Sequence, residues 1–236
     1  MKRKLTTSVS DGVRLLSRIG WLSETSPDFR KRLLATAVWR EVAPGKVFNR
    51  AGDRDVGMWG IASGQINLAT GLSVGDSPVA EVWLPGHWGG FGPLLHGFRA
   101  ANAEPAVPSL LAFVPYSALT QLLKEQPAWW MFLGRLSARY TFRFAGAVGD
   151  LLIPDPRLRL IAVLLRLADC RHRDADIGLP IALRLTQLQL AQCANVSRQL
   201  VGPLLHKLEA TGAIDVGYRE LRVLRAAPLR RSLDAL

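Results

Sequence analysis

The chain has 236 residues, 49% of them hydrophobic, with two cysteines and a formal net charge of +11. That length fits one large or two modest domains with their own cores, and the charge favours a polyanionic partner without naming one. No stretch approaches the ~20 apolar residues of a membrane span, the basic start is followed by Ser8, Ser10, Asp11 and Arg14 rather than a signal-peptide core, and Cys170 and Cys193 are too few for a disulfide framework, which fits buried thiols in a reducing cytoplasm.

In chain order, residues 13–38 predict helices. Leu15, Leu16, Ile19 and Leu22 come first, then Phe29, Leu33, Leu34 and Val38 after the start signal Ser26-Pro27. From about Trp39 to Ala118 the texture changes to short segments between Gly, Pro, Asn and Asp turns. Val47-Phe48, Trp59–Ala62, Ile66–Ala69, Val79–Leu84 and Leu110–Val114 read as strands of a sandwich or jelly roll. A short helix is expected over residues 116–124 and a longer one from Ala128 to about Leu152. The longer one is too apolar for an isolated amphipath. Leu133, Leu136 and Tyr140 make a seam on it, and Gly134, Ala138, Ala145, Gly146 and Gly149 allow close helix approach; the other reading is that its aromatics pack under the jelly roll.

Ile153-Pro154-Asp155-Pro156 is the best domain boundary, because neither proline tolerates helix continuation around it. Leu158, Ile161, Ala162, Leu165 and Ala168 then form an amphipathic helix. A charged loop occupies residues 171–176, and a short strand is expected over residues 180–185.

Residues 185–214 carry the most information. Thr186 is an N-cap for a short helix, Asn195 suits the left-handed turn after it, and Ser197 caps a second helix with Val201, Leu204, Leu205 and Leu208 on one face. Arg198 and Gln199 fall in the first turn of that second helix, the end that enters the major groove in a helix-turn-helix. Their side chains suit bidentate contacts with guanine and adenine. Strands over residues 213–216 and 221–224, around Gly217-Tyr218-Arg219-Glu220, add a small basic wing. Lys207, His206 and Arg219 are placed to reach phosphates, which positions a protein on DNA without reading sequence. Lys and Arg outnumber Asp and Glu by 17 to 11 over residues 1–150 and by 13 to 8 over residues 151–236, so charge alone does not localise the DNA surface.

The stretch resembles the DNA-binding domain of the cyclic-AMP receptor/fumarate-nitrate regulator (Crp/Fnr) superfamily of bacterial transcription factors. The resemblance is carried by Thr186-Gln187, Leu190-Ala191, Val196-Ser197-Arg198, Leu208-Glu209 and Gly212-Ala213-Ile214. It extends upstream, where Pro44-Gly45, Gly52-Asp53, Ile61-Ala62-Ser63-Gly64-Gln65 and Pro85-Gly86 resemble the turns of the family's cyclic-nucleotide-binding jelly roll. It implies an α+β protein in three parts. Residues 1–126 would be N-terminal helices and a sensor jelly roll, residues 127–153 a dimerisation helix and hinge, and residues 154–236 a winged helix-turn-helix. It also implies a homodimer, a palindromic duplex DNA operator, RNA polymerase as a further partner and no membrane. The DNA-facing set on this reading is Thr186, Gln187, Ser197, Arg198, Gln199, Gly202, Pro203, His206, Lys207 and Arg219.

Two places depart from the family pattern. In the sensor cassette Gly90 falls on the family glycine and Arg99 on the phosphate-binding arginine. Phe91 stands where the ribose-binding carboxylate belongs, and Ala100 where a hydroxyl follows the arginine. A site built on hydrogen bonds loses affinity steeply when its partners vanish, so cyclic AMP is not the expected ligand. Arg99 is left either as an anion site, as an exposed loop arginine or as a partner of Glu81 or Glu104, and Glu104-Pro105 is expected to disturb the next strand. Trp59, Trp83 and Trp88 enclose either an apolar pocket or a filled core. The second departure is Pro203, inside the recognition helix where many relatives carry a base-reading arginine; a bent helix and a changed base preference are expected.

Among cofactors, an iron–sulfur cluster needs about four thiolates and is excluded by two cysteines. Haem would need His87 or His96 as axial ligand and is not expected. An effector-responsive regulator that binds a cyclic nucleotide, haem or another small molecule in the jelly roll is the alternative. A cupin-like metalloenzyme would need converging histidines, and the barrel offers only His87 and His96 without a His-x-His pair. A winged helix used for protein contacts is opposed by the basic wing and by Arg198-Gln199.

Overall fold

The computed structural model describes residues 7–53, 57–69, 78–97, 99–171 and 180–234. The chain divides into two compact units, Met1–Ser77 with Trp83–Arg139 and Pro78–Val82 with Tyr140–Leu236. The division falls inside a helix.

In the first unit, Ser8 and Ser26 accept backbone N–H groups to start α1 (Val9–Leu16) and α2 (Pro27–Ala35), with a short 3-10 turn at Trp21–Glu24 between them. The strands up to residue 115 are, in chain order, β1 (Val38–Val42), β2 (Gly57–Ser63), β3 (Ile66–Ala69), β4 (Val79–Trp83), β5 (Trp88–Gly89), β6 (Asn102–Pro105) and β7 (Ser109–Pro115); of β4 only Trp83 belongs to this unit. One antiparallel sheet runs β1-β7-β2-β5, and β3 pairs antiparallel with β6. Residues 109–114 of β7 are buried on both faces, which explains the unbroken apolar run over residues 110–114. Gly20, at φ +72, lets the chain pass where a Cβ would stand 2.1 Å from the Gly86 carbonyl oxygen. α3 (Gly92–His96) and α4 (Tyr116–Glu125) complete the unit, together with the start of α5 (Trp130–Leu151).

Three expectations are corrected here. Glu104-Pro105 does not break its strand: Pro105 occupies the last position of β6, opposite Ile66, where a missing N–H removes one ladder bond at most. β1 forms where only a helix end was expected, and Val47-Phe48 forms no strand, although Phe48 donates its N–H to Ala103.

Leu133, Leu136 and Tyr140 are buried within the chain, so they are core rather than an open seam. α5 is apolar around most of its circumference, and periodicity alone does not say which stripe faces out. The outward stripe is Met131, Gly134, Ala138, Phe142, Ala145 and Val148, spaced by three and four residues. Phe142 is 76% exposed, and a Cβ added at Gly134 meets nothing within 4 Å.

The second unit holds the rest of α5, then α6 (Pro156–Leu167), α7 (Gln187–Ala194), α8 (Arg198–Ala210) and α9 (Ala226–Arg231). Its sheet has β10 (Glu220–Val223) central between β8 (Ile181–Leu183) and β9 (Ile214–Gly217), all antiparallel. Asp155 caps α6 by accepting the N–H groups of Arg157 and Leu158, so the Pro154–Pro156 break is where one helix yields to the next. α6 is buried along most of its length and forms the floor on which α7, α8 and α9 pack.

The unit also contains a buried ion cluster. Arg143 donates two hydrogen bonds to Glu81, at 2.8 and 3.1 Å, and another to Asp169. Arg166 donates to Glu81 at 2.8 Å and to Asp150 at 2.9 Å, and Arg171 Nη1 lies 2.7 Å from the other Asp150 oxygen. Burial alone would lower the Arg143 pKa, but the Asp169 and Glu81 carboxylates outweigh it and hold the guanidinium above its ordinary value. Nearby, the Cys193 thiol donates to the Val79 carbonyl at 2.9 Å. Burial first, with Glu81 adding, raises that thiol's pKa to about 12 against the lowering pull of Arg166. Both cysteines are buried free thiols.

Candidate nucleic-acid interface

The hydrogen bonds around the helix-turn-helix fix its geometry. Thr186 accepts the Gln189 N–H, and Gln189 reaches back to the Thr186 N–H, a reciprocal capping box that starts α7. Asn195 closes α7 at φ +48, ψ +53, the left-handed conformation its short polar side chain tolerates. Arg159 on α6 donates to the carbonyls of Ala194 and Asn195 and also to Ile153, so one guanidinium braces the turn from below. Nothing in the local sequence pattern marks Arg159 for this task.

Ser197 has the extended backbone of an N-cap, but its side chain makes no capping bond, contrary to the sequence expectation. The first turn of α8 therefore keeps N–H groups that neither the helix nor a side-chain cap uses. Val201, Leu204 and Leu205 point inward, and Pro203 does not interrupt the helix, which runs from Arg198 to Ala210. The outward residues are Arg198, Gln199, Pro203, His206 and Lys207, one contiguous face of α8, with Gly202 half-buried at its edge. Gln187 is exposed at the start of α7, with its side-chain oxygen 3.6 Å from where a Gly202 Cβ would stand.

The wing is locked to the same helix. Glu209 accepts the backbone N–H of Val216, Arg225 donates to the carbonyls of Thr211 and Gly212, and Arg184 pairs with the buried Glu220. At the tip between β9 and β10, Arg219 adopts φ +54 and is exposed, and Tyr218 is 91% exposed. A cleft of about 500 Å³ lies between the start of α7, Arg198 and these wing residues. Of the ten residues expected to face DNA, Gln187, Ser197, Arg198, Gln199, Pro203, His206, Lys207 and Arg219 are exposed in this one unit; the Thr186 hydroxyl is engaged in its cap.

In the sensor unit the cassette residues converge, but on protein groups. Arg99 is only 3% exposed, and its guanidinium donates to the Gly57 carbonyl at 2.9 Å. It is therefore not an exposed loop arginine. Gly90, at φ +83, sits so close beneath Arg99 and Trp59 that an added Cβ would stand 2.7 Å from one guanidinium nitrogen and 2.8 Å from the indole nitrogen. The Tyr116 hydroxyl donates to the Gly90 carbonyl, and the Trp59 N–H donates to Asn49. Phe48, Trp59, Trp83 and His87 follow one another with ring centroids 5.1–5.9 Å apart, so this part of the jelly roll is packed with rings. The His87 Nδ1 lies 3.0 Å from the Leu84 carbonyl, and the side chain of His96 lies outside the described residues. Phe91 is half-buried and Ala100 exposed. Among the described residues no helix is long and apolar enough to cross a membrane.

Residues 39–126 match the cyclic nucleotide-binding domain, and residues 158–232 match the Crp-like helix-turn-helix domain. The fold is similar to that of several solved structures. One is the c-di-GMP responsive global regulator CLP of Xanthomonas campestris, 20% identical over 84% of this chain and 99% of that one, with a TM-score of 0.62. FixK2 of Bradyrhizobium japonicum is 16% identical over 83% of this chain and 96% of its own, with a TM-score of 0.69. A putative cyclic nucleotide binding protein of Ruegeria pomeroyi is 16% identical over 97% and 99%, with a TM-score of 0.68. No curated protein sequence matches the chain.

Proposed function

Because the chain belongs to the Crp/Fnr family of transcription regulators, whose members are not enzymes, we propose that it works as a homodimer on a palindromic DNA site and without cyclic AMP as effector. The observation that carries the DNA reading is the outward face of α8, where Arg198 and Gln199 stand in the first turn with unused backbone N–H groups beside them. A side chain of each type can chelate a base edge, and free N–H groups at a helix start favour a phosphate. His206, Lys207 and Arg219 supply flanking backbone contacts, which set orientation and salt dependence.

Dimerisation is supported by the outward stripe of α5. A row of Met131, Gly134, Ala138, Phe142, Ala145 and Val148 is apolar or small throughout and is left uncovered within the chain. Two copies joined there would carry two recognition helices, as a two-fold operator with half-sites about one helical turn apart requires. Phe142→Glu is expected to shift the dimer towards monomer in sedimentation velocity, while its melting temperature stays near that of the parent.

Independence from cyclic AMP is supported by the engagement of Arg99 and by the residues around it. A buried phosphate needs a fixed cation and several donors, and here the cation is turned to Gly57 while Phe91 and Ala100 have no polar side-chain atom. No haem or cluster is proposed. RNA polymerase is proposed as a further partner.

Selection from a pool of random duplexes, with and without cyclic AMP, tests the reading. Enrichment of the same palindrome in both arms is expected. Enrichment only with the nucleotide would overturn the effector reading, and no enrichment in either arm would overturn the DNA reading.

A further inference from the structure

α8 is a recognition helix whose middle turn holds no hydrogen-bonding side chain. Arg198 and Gln199 precede that turn, His206 and Lys207 follow it, and between them on the outward face stand Gly202 and Pro203. Pro203 is exposed, so no side chain of the chain covers it, and the helix continues through it with Leu204 and Leu205 still buried. The pyrrolidine ring is thus held on a rigid element at the centre of the face, flanked on both sides by polar residues.

What such a surface can read follows from the chemistry of base edges. In the major groove, guanine, adenine and thymine offer acceptors, and cytosine and adenine offer amino donors. The only apolar group is the C5 methyl of thymine. A proline ring has no donor and no acceptor beyond its backbone carbonyl. Set against guanine or cytosine, it would strip water from polar edges and give nothing back. Set against thymine, it buries a methyl group. Resting on the DNA-binding reading above, we propose that Pro203 specifies a T·A pair at the centre of each half-site by contact with the thymine methyl, between the positions read by Arg198 and Gln199 and the phosphates held by His206 and Lys207.

The test compares the wild-type protein with Pro203→Arg in duplex selection, then swaps one base analogue. Arginine is far better tolerated than proline in a helix interior, so the variant is expected to fold, and its circular dichroism spectrum checks that it does. The position at which the two selected sequences differ identifies the pair under residue 203. The expected result is thymine there for the wild type and guanine for Pro203→Arg. Deoxyuridine at that thymine, which removes the methyl alone, is expected to weaken wild-type binding about fourfold, the worth of one buried methyl group. The proposal is overturned if the wild-type protein leaves that position free, if deoxyuridine binds as well as thymine, or if Pro203→Arg selects an unchanged sequence. Failure of both proteins to enrich any duplex would instead overturn the DNA-binding reading on which this rests.

Discussion

Arg99 and Pro203 mark opposite departures from one family pattern. Arg99 keeps the residue expected of a cyclic-nucleotide site and loses its access: it is buried against the Gly57 carbonyl, with Trp59 and Gly90 packed beside it. Pro203 replaces the expected residue and keeps its access, at the centre of the outward face of α8. Site function therefore depends on identity and exposure together, and a motif match reports only the first. In the sensor unit a hydrogen bond to the Gly57 carbonyl helps to hold the cation inward. In the DNA-binding unit Val201, Leu204 and Leu205 bury one side of a single helix and leave the other to Pro203 and the polar residues that flank it.

Both units contain buried arginines, and truncating them sharpens the contrast. Arg166 is paired with two carboxylates that are themselves almost fully buried. Arg166→Ala leaves these charges short of a partner, and a loss of about 3–5 kcal/mol is expected in urea unfolding. Arg99→Ala removes the hydrogen bond to the Gly57 carbonyl, and a smaller loss of about 1–3 kcal/mol is expected by the same measurement. Equal or reversed losses would break the distinction between the buried ion cluster and the Arg99 site.

On the exposed face the effects should appear in binding, not in stability. Arg198→Ala is expected to weaken operator binding by about 1–3 kcal/mol and to relax the base preference at one position, read by fluorescence anisotropy on single-base operator variants. Lys207→Ala should weaken all duplexes alike and reduce the slope of log K against log salt by about one.

The smallest effect concerns Cys193. Its folded-state pKa of about 12 exceeds that of an exposed thiol, so the native state holds the proton more tightly than the unfolded one. The resulting contribution to stability is whole below about pH 8.5 and is lost as pH rises towards the folded value. Iodoacetamide at pH 8 is expected to spare Cys193 in the native protein and to label it after denaturation, as read by peptide mass. Native labelling would show the thiol to be accessible.

The winged domain was legible because its signals are local: a cap at Thr186, a left-handed Asn195, an apolar face at three- and four-residue spacing. The sensor was legible as a class and less so in detail. β1 was hidden because Val38-Trp39-Arg40-Glu41-Val42 lacks the apolar/polar alternation of a strand and follows α2 directly, with no Gly or Pro between them, and β6 was hidden by a proline that a strand end tolerates. The ion cluster could not be read, since Glu81 meets Arg143 and Arg166 across 62 and 85 residues of chain. The outward stripe of α5 was missed for a different reason: two apolar faces share one helix, and only packing tells the buried one from the open one.

The most direct test is the affinity of the purified protein for its selected operator, measured by anisotropy at fixed salt with and without saturating cyclic AMP. The same dissociation constant in both arms is the predicted result. A tenfold or greater tightening by the nucleotide would mean that Arg99 can be drawn away from Gly57 to meet a phosphate, and would contradict the reading of this sensor as one that has lost its cyclic-AMP site.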